Sequence, residues 1–174
     1  MQQKKTKKRK FLRGFTVIEI LTIIGVMGIM LSVALVSLSS GRTSAKLDAA
    51  QREVASAIQT AKSNALQGKT AFGSVPKYWG IYFDNDNKTY KIVPSNAPGN
   101  DIAGGTETYA LSNGVTFSVT NVTNRRIYFS VPNGNILRGN GSSYASGDIA
   151  TVTVSISGLN KTVSISSGGV VTED

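Results

Sequence analysis

Hydrophobic and polar positions divide the chain into four stretches of different texture. Residues 1–14 are polar and basic, whereas 15–38 are apolar apart from Thr16, Glu19, Thr22, Ser32 and Ser37. Twenty-four residues of helix reach about 36 Å at roughly 1.5 Å per residue, enough to cross a hydrocarbon core about 30 Å thick. This pattern predicts a membrane-spanning helix. Beyond it, Leu47, Gln51, Val54, Ile58, Ala61, Ala65 and Leu66 recur at helical spacing, with Arg52, Glu53, Gln59 and Lys62 on other faces. That is the signature of an amphipathic helix, and the apolar helix is expected to continue into it. Gly25, Gly28 and the Ser39, Ser40, Gly41 stretch are places where it can bend. Asp48 and Arg52 are spaced for an i,i+4 ion pair, and Gly68 is placed to end the helix as its C′ residue.

After Gly68 the chain becomes short runs rich in Val, Ile, Thr and Tyr, separated by turn residues, which predicts strands. Segments 79–83 and 89–93 flank the polar run from Asp84 to Lys88 and read as a hairpin. Val115, Phe117 and Val119 alternate with polar residues, as do Val152, Val154 and Ile156, and Val163 and Ile165, so each strand buries one face. Further strands are expected at 109–111, 127–131 and 170–172, with tight turns at Asn113, Gly114 and Asn133, Gly134. Segments 95–106 and 138–147, rich in Gly, Ser and Asn, read as surface loops. The fold class expected is α+β, with the stripe through Val54, Ile58 and Ala61 packed on a small antiparallel sheet.

Charge changes the picture in one respect. The leader holds Lys4, Lys5, Lys7, Lys8, Arg9, Lys10 and Arg13 and no acid, and such a segment stays on the cytoplasmic side of a membrane. Everything after Leu38 is then extracytoplasmic. Seven of the 19 basic residues lie in that leader, which leaves 12 against 10 acidic residues, a net +2. The chain has no cysteine and no histidine. This removes the usual zinc ligands, Ser/His/Asp triads and Cys/His nucleophile pairs. No enzyme, cofactor or metal site is expected. Asp84 and Asp86 are spaced like the start of a calcium loop, but an EF-hand needs Gly at its sixth position and Glu at its twelfth. Counting from Asp84 gives Thr89 and Ser95, so an Asx-rich turn is the expected reading. Arg125, Arg126, Arg138 and Lys161 are the candidate basic patch for nucleic acid, weighed against solvated loops; nucleic acid is not expected as a partner.

The basic start and long apolar run also fit a secretory signal or a plain membrane anchor. An ordinary signal core is about 7–15 residues long and lacks acids, and an anchor leaves Glu19 unexplained. An ionisable residue at the centre of a span costs about 2.5–3.5 kcal/mol on insertion scales. Glu19 can snorkel to headgroups, since it lies near the end of the run, or it can be held by a partner charge.

Gly14 followed by Phe15, Thr16, Val17, Ile18 and Glu19 resembles the class III signal of type IV prepilins and pseudopilins. The resemblance implies a prepilin peptidase that cuts after Gly14 and methylates Phe15, with the hydrophobic helix retained. It implies that Glu19 pairs with the amino terminus of a neighbouring subunit during assembly. Gly28 matches the glycine where pilin helices loosen on packing, while the proline many pilins carry there is absent. The head is most similar to the minor pseudopilin H, or GspH/FimT, type. The aromatic strand at 79–83, Phe129, Pro132 and Gly134 at a turn, the runs 151–156 and 162–166, and the ending Gly168, Gly169, Val170, Val171 carry that likeness.

The resemblance therefore implies a pilin-like ladle: leader 1–14, cleaved; transmembrane and assembly helix 15–38; amphipathic extension 39–67; and β-rich extracytoplasmic head 68–174. The implied partners are other pilins or pseudopilins, the prepilin peptidase, an inner-membrane platform with its ATPase motor, and the membrane itself. The implied function is a structural, minor pseudopilin of type II secretion, located in the cytoplasmic membrane and then in a filament. The alternative is a minor pilin of a competence (DNA-uptake) or adhesive type IV pilus.

Overall fold

The structure is a computed structural model that describes residues 15–102, 107–111 and 114–174. These fall into two units that divide between Ser40 and Gly41. One helix, α1 (Val17–Leu66), contributes to both. It starts where Thr16 can cap it and ends at Gly68, whose φ of +59° is costly for any residue with a Cβ. The Gly68 N–H donates to the Ala65 carbonyl (3.2 Å) and the Lys69 N–H to the Asn64 carbonyl (3.0 Å), which is a Schellman closure.

The large apolar side chains of α1 from Val17 to Leu35, and that of Leu38, are exposed, and the segment is long and apolar enough to cross a membrane. From Leu47 onward one face is buried: Leu47, Ala50, Gln51, Val54, Ala55, Ala57, Ile58, Ala61 and Ala65. Its many alanines keep the helix surface low. Leu66, expected on this stripe, is half exposed and lies against Gly134, where an added Cβ would come within 2.7 Å of its Cδ2.

Two antiparallel sheets complete the second unit. The first joins β1 (Tyr78–Asp84), β2 (Thr89–Ala97), β3 (Asn100–Asp101), β6 (Arg126–Ser130) and β7 (Ile136–Arg138) in the order β3-β2-β1-β6-β7, with β4 (Glu107–Ala110) also pairing with β2. The second holds β5 (Thr116–Thr120), β8 (Ile149–Ile156), β9 (Leu159–Ser166) and β10 (Val171–Glu173) in the order β10-β9-β8-β5. The helix stripe shares one core with inward residues of both sheets, among them Ile81, Phe83, Ile127 and Phe129 from the first and Val152, Val154, Val163 and Ile165 from the second. Alternation along β8 is regular, with Ala150, Val152, Val154 and Ile156 buried.

Several expectations need correction. Segment 95–102 is not simply a surface loop, and residues 103–106 of the expected loop lie outside the described residues. Its first residues extend β2, and Ser95 is fully buried, its hydroxyl donating to the carbonyls of Ala97 and Asn100 (2.7 Å to the latter). Segment 138–147 begins in β7 and returns Tyr144 to the core, its hydroxyl donating to the Asn121 carbonyl (3.1 Å). The strand expected at 109–111 runs instead from Glu107 to Ala110. Asp48 forms its ion pair with Lys161 of β9 at 2.8 Å, across the helix–sheet interface, rather than with Arg52.

Candidate assembly site

The first turn of α1 is built from Thr16, Val17, Ile18 and Glu19. The Thr16 carbonyl accepts the N–H groups of Glu19 (3.1 Å) and Ile20 (3.2 Å), and Thr16 Oγ1 accepts the Glu19 N–H at 3.3 Å. Thr16 is therefore the N-cap and Glu19 the N3 residue, the positions of a capping box. Only the threonine half of the box is made among the described residues. The carboxylate of Glu19 forms no hydrogen bond or ion pair among the described residues. It is the sole ionisable side chain between Phe15 and Gly41, and a carboxylate near a helix N-terminus is favoured by the helix dipole. Two further polar groups of the run are satisfied locally: Thr22 Oγ1 donates to the Ile18 carbonyl (2.8 Å) and Ser32 Oγ to the Gly28 carbonyl (2.9 Å). Phe15 is 73 % exposed. Gly14, the expected cleavage position, lies outside the described residues.

In the head, each cation of the expected basic patch is paired with an aspartate. Arg125 meets Asp86 at 3.3 Å, Arg126 meets Asp101 at 3.0 Å, Arg138 meets Asp148 at 2.7 Å and Lys161 meets Asp48. A free basic surface for phosphates is not what these residues make. Asp84 is likewise committed. Its Oδ1 accepts the N–H groups of Asp86 and Asn87, both at 3.2 Å, and its Oδ2 accepts Asn87 Nδ2 at 2.8 Å. These bonds, that from the Asn87 side chain first, hold its carboxyl below the usual carboxylate range. The run closes the β1–β2 hairpin.

Three polar clusters were missed by sequence reasoning. In the first, Arg126 Nε and Nη2 both donate to Asp101 Oδ2 (3.1 and 3.0 Å), and the buried Tyr128 hydroxyl donates to Asp101 Oδ1 (2.7 Å) while accepting the Gly99 N–H (3.0 Å). Burial, then the bond to Asp101, pushes the Tyr128 phenol up to about 12. In the second, buried Gln51 of α1 donates through Nε2 to the carbonyls of Thr162 (2.8 Å) and Asp174 (3.0 Å), tying the helix to the end of β10. The third lies between the helix and β2–β4, where Glu53, Ser56, Ala57, Thr60, Tyr90, Ile92 and Tyr109 line a groove. Here the Tyr90 hydroxyl donates to Glu53 Oε1 (3.0 Å), the Tyr109 hydroxyl donates to Glu107, and the two rings stack with centroids 5.1 Å apart. Burial, then Glu53, raises the Tyr90 phenol above its ordinary value. The readable signal for this groove was cross-strand pairing of Tyr90 with Tyr109, which needs the register of β4.

No protein-family model matches the chain, and no curated protein matches it either. Two solved structures are similar to it. The type IV minor pilin FimU of Pseudomonas aeruginosa aligns with a TM-score of 0.55 at 18% identity, covering 74% of this chain and 87% of its own. The minor pseudopilin EpsH from the type 2 secretion system of Vibrio cholerae aligns with a TM-score of 0.50 at 9% identity, covering 74% of this chain and 96% of its own. The fold, one long N-terminal helix packed on antiparallel sheets, is thus that of minor pilins and pseudopilins, and the resemblance first read from residues 14–19 is met at the level of fold.

Proposed function

We propose that this chain is a structural, non-catalytic pilin-like subunit, cut after Gly14, N-methylated on Phe15 and assembled through its apolar helix into a type II secretion pseudopilus or a type IV pilus-like filament. The observation that carries the reading is the first turn of α1. A single carboxylate, Glu19, stands without a partner among the described residues at the start of an apolar run whose side chains are exposed. An intramembrane charge of this kind is costly unless matched, and a new α-amino group at Phe15, largely cationic near neutral pH, is a match one turn away in a neighbouring copy. The likeness to pilin folds supports the same reading. On it, the chain enters the cytoplasmic membrane with its leader inside and its head outside, and is the substrate of a prepilin peptidase. Its assembly is driven by an inner-membrane platform and ATPase motor.

The likeness in fold to FimU, a type IV minor pilin, supports a second reading, a minor pilin of a type IV pilus. Within it, a DNA-uptake role through Arg125, Arg126, Arg138 and Lys161 is disfavoured, because each is paired with an aspartate.

The test is the mature amino terminus, read by mass spectrometry of the chain expressed with and without a prepilin peptidase. N-methyl-Phe15 appearing only with the peptidase is the expected result. An intact leader in both strains rejects the processing claim. Glu19→Ala is expected to be processed normally and to fail in assembly, and its normal incorporation into filaments rejects the role given to Glu19. Proteins recovered with wild-type filaments, secretion components or pilus components, decide between the two readings.

A further inference from the structure

We propose that Phe72 is an anchor side chain that seats in the Glu53–Tyr109 groove of a second copy of the chain, joining copies in a contact that repeats without closing. The inference rests on the subunit reading above and names a contact between heads that would accompany it.

The anchor is marked by where the chain spends conformational strain. Ala71 and Ser74 close a two-residue turn, with the Ala71 N–H donating to the Ser74 carbonyl (2.8 Å) and the Ser74 N–H to the Ala71 carbonyl (3.2 Å). Its central residues, Phe72 and Gly73, have φ of +52° and +78°. Turns of this kind favour Asn, Asp or Gly at both places, and a bulky side chain there is strained. Phe72 gains no burial in return: it is 63 % exposed, beside a Val75 that is 53 % exposed. Strain held at an exposed aromatic points to a use outside the chain. The turn is not loose, since the Trp79 indole N–H donates to the Lys69 carbonyl (3.1 Å) and fixes its approach. Lys69 and Lys77 flank the turn, are exposed, and form no ion pair among the described residues, the Lys69 ammonium lying over the Trp79 ring 5.7 Å from its centroid.

The groove is the complement in both shape and sign. Ala57, Ile92 and the rings of Tyr90 and Tyr109 give it apolar walls within a volume of about 270 Å³, and Glu53 lines it. Glu107 stands beside it, bound by the Tyr109 hydroxyl. An aromatic side chain between two lysines thus faces an aromatic-lined groove between two glutamates, and such complementarity selects partner and register. Phe72 follows the C-terminal end of α1, whereas the groove lies on its turns 53–60 and is not lined by Phe72. A projection and a pocket at different places on one molecule make a heterologous contact, which propagates as an open filament unless its rotation closes.

The chain contains no cysteine, so engineered thiols report cleanly. The full chain carrying Ser74→Cys together with Thr60→Cys, with Phe72 kept, assembled with a prepilin peptidase and mildly oxidised, is expected to give a ladder of disulfide-linked multimers on a non-reducing gel, since Ser74 is exposed in the Phe72 turn and Thr60 lines the groove. Either substitution alone is expected to give monomer. Filaments that form from the double variant without a ladder overturn the docking and leave the subunit reading standing. A wild-type chain that is neither processed nor incorporated into filaments overturns both. Phe72→Gly separates docking from folding. It is expected to keep or raise the thermal midpoint of the head by relieving the turn, while lowering filament yield at least tenfold. A lowered midpoint with unchanged yield would make Phe72 a structural residue and overturn the proposal.

Discussion

The two halves of α1 use the same residue types for opposite ends. Ile18, Ile24 and Ile29 are 72 %, 64 % and 69 % exposed, whereas Ile58, about five and a half turns past the end of the apolar run, has no exposed surface. Residue type alone therefore does not distinguish them; the pattern, apolar all round in one half and on a single stripe in the other, does. Around Ile58 the chain supplies its own partners from both sheets, while residues 17–38 present an apolar surface whose partner is not in the described chain. One half of the helix is packed into a core, and the other carries exposed apolar side chains over a length that can cross a membrane. The sharpest break of this comparison is a matched pair of substitutions. Ile58→Ala is expected to cost about 2–5 kcal/mol, the range for emptying a core site, read by denaturant unfolding of the full chain in detergent. Ile24→Ala is expected to leave that transition within about 0.5 kcal/mol. Equal effects would mean that the apolar half is part of the same folding unit.

A second test strikes the head where it has least room. Gly80 sits in central strand β1 opposite Tyr128, and a Cβ there would lie 2.4 Å from Tyr128 Cδ1 and 2.8 Å from the Ile127 carbonyl oxygen. Gly80→Ala is expected to destabilise the head by about 1–3 kcal/mol through overpacking, measured in the same unfolding experiment. Gly28→Ala, in the apolar half, meets nothing within 4 Å. It is expected to be neutral or slightly favourable to the helix.

Much of this division was legible beforehand. The 15–38 run, the Val54–Ile58–Ala61 stripe, the closing Gly68 and the alternating strands around Phe117, Val154 and Ile165 follow from periodicity, which is local. What escaped depends on distant residues. β3 is two polar residues, Asn100 and Asp101, with no pattern of their own; Asp101 gains its place from Arg126 and Tyr128, some 25 positions on. Asp48 had Arg52 at the right helical spacing, yet Lys161 arrives with better geometry from β9. The residues expected to act, Gly14, Phe15 and Glu19, stand together as a sequence motif, and the role proposed for them involves a second molecule.

Alkaline titration separates the halves by chemistry instead of packing, because residues 15–40 contain no tyrosine. Folding favours the neutral Tyr128 phenol, whose pKa is raised from 10 to about 12 by burial and by Asp101, with Arg126 opposing. Its contribution is therefore fully present below pH about 10 and is lost as pH rises towards 12. The head is expected to lose stability across that window. Tyr128→Phe is expected to be less stable at neutral pH, having lost the bonds to Asp101 and Gly99, with a shallower further loss in alkali. An unchanged alkaline slope in the variant would move the effect to other phenols, such as Tyr90.

The smallest effect expected concerns the ion pair that ties helix to sheet. The hydrogen bond from Lys161 is the leading reason that the Asp48 carboxyl titrates below its ordinary value, with Arg52 adding a weaker attraction. A carboxyl depressed in the folded state stabilises above the usual carboxylate range and ceases to do so as pH falls through its folded pKa. Both partners are solvent-accessible, and such pairs are weak and screened by salt. Lys161→Ala is therefore expected to lower the thermal midpoint of the head only slightly at neutral pH and low salt, with the difference vanishing in acid and in high salt. Arg52→Ala is expected to lower it less. If the two variants were reversed in size, the helical neighbour rather than the strand would hold Asp48, and this part of α1 would owe less to its sheet than the buried stripe implies.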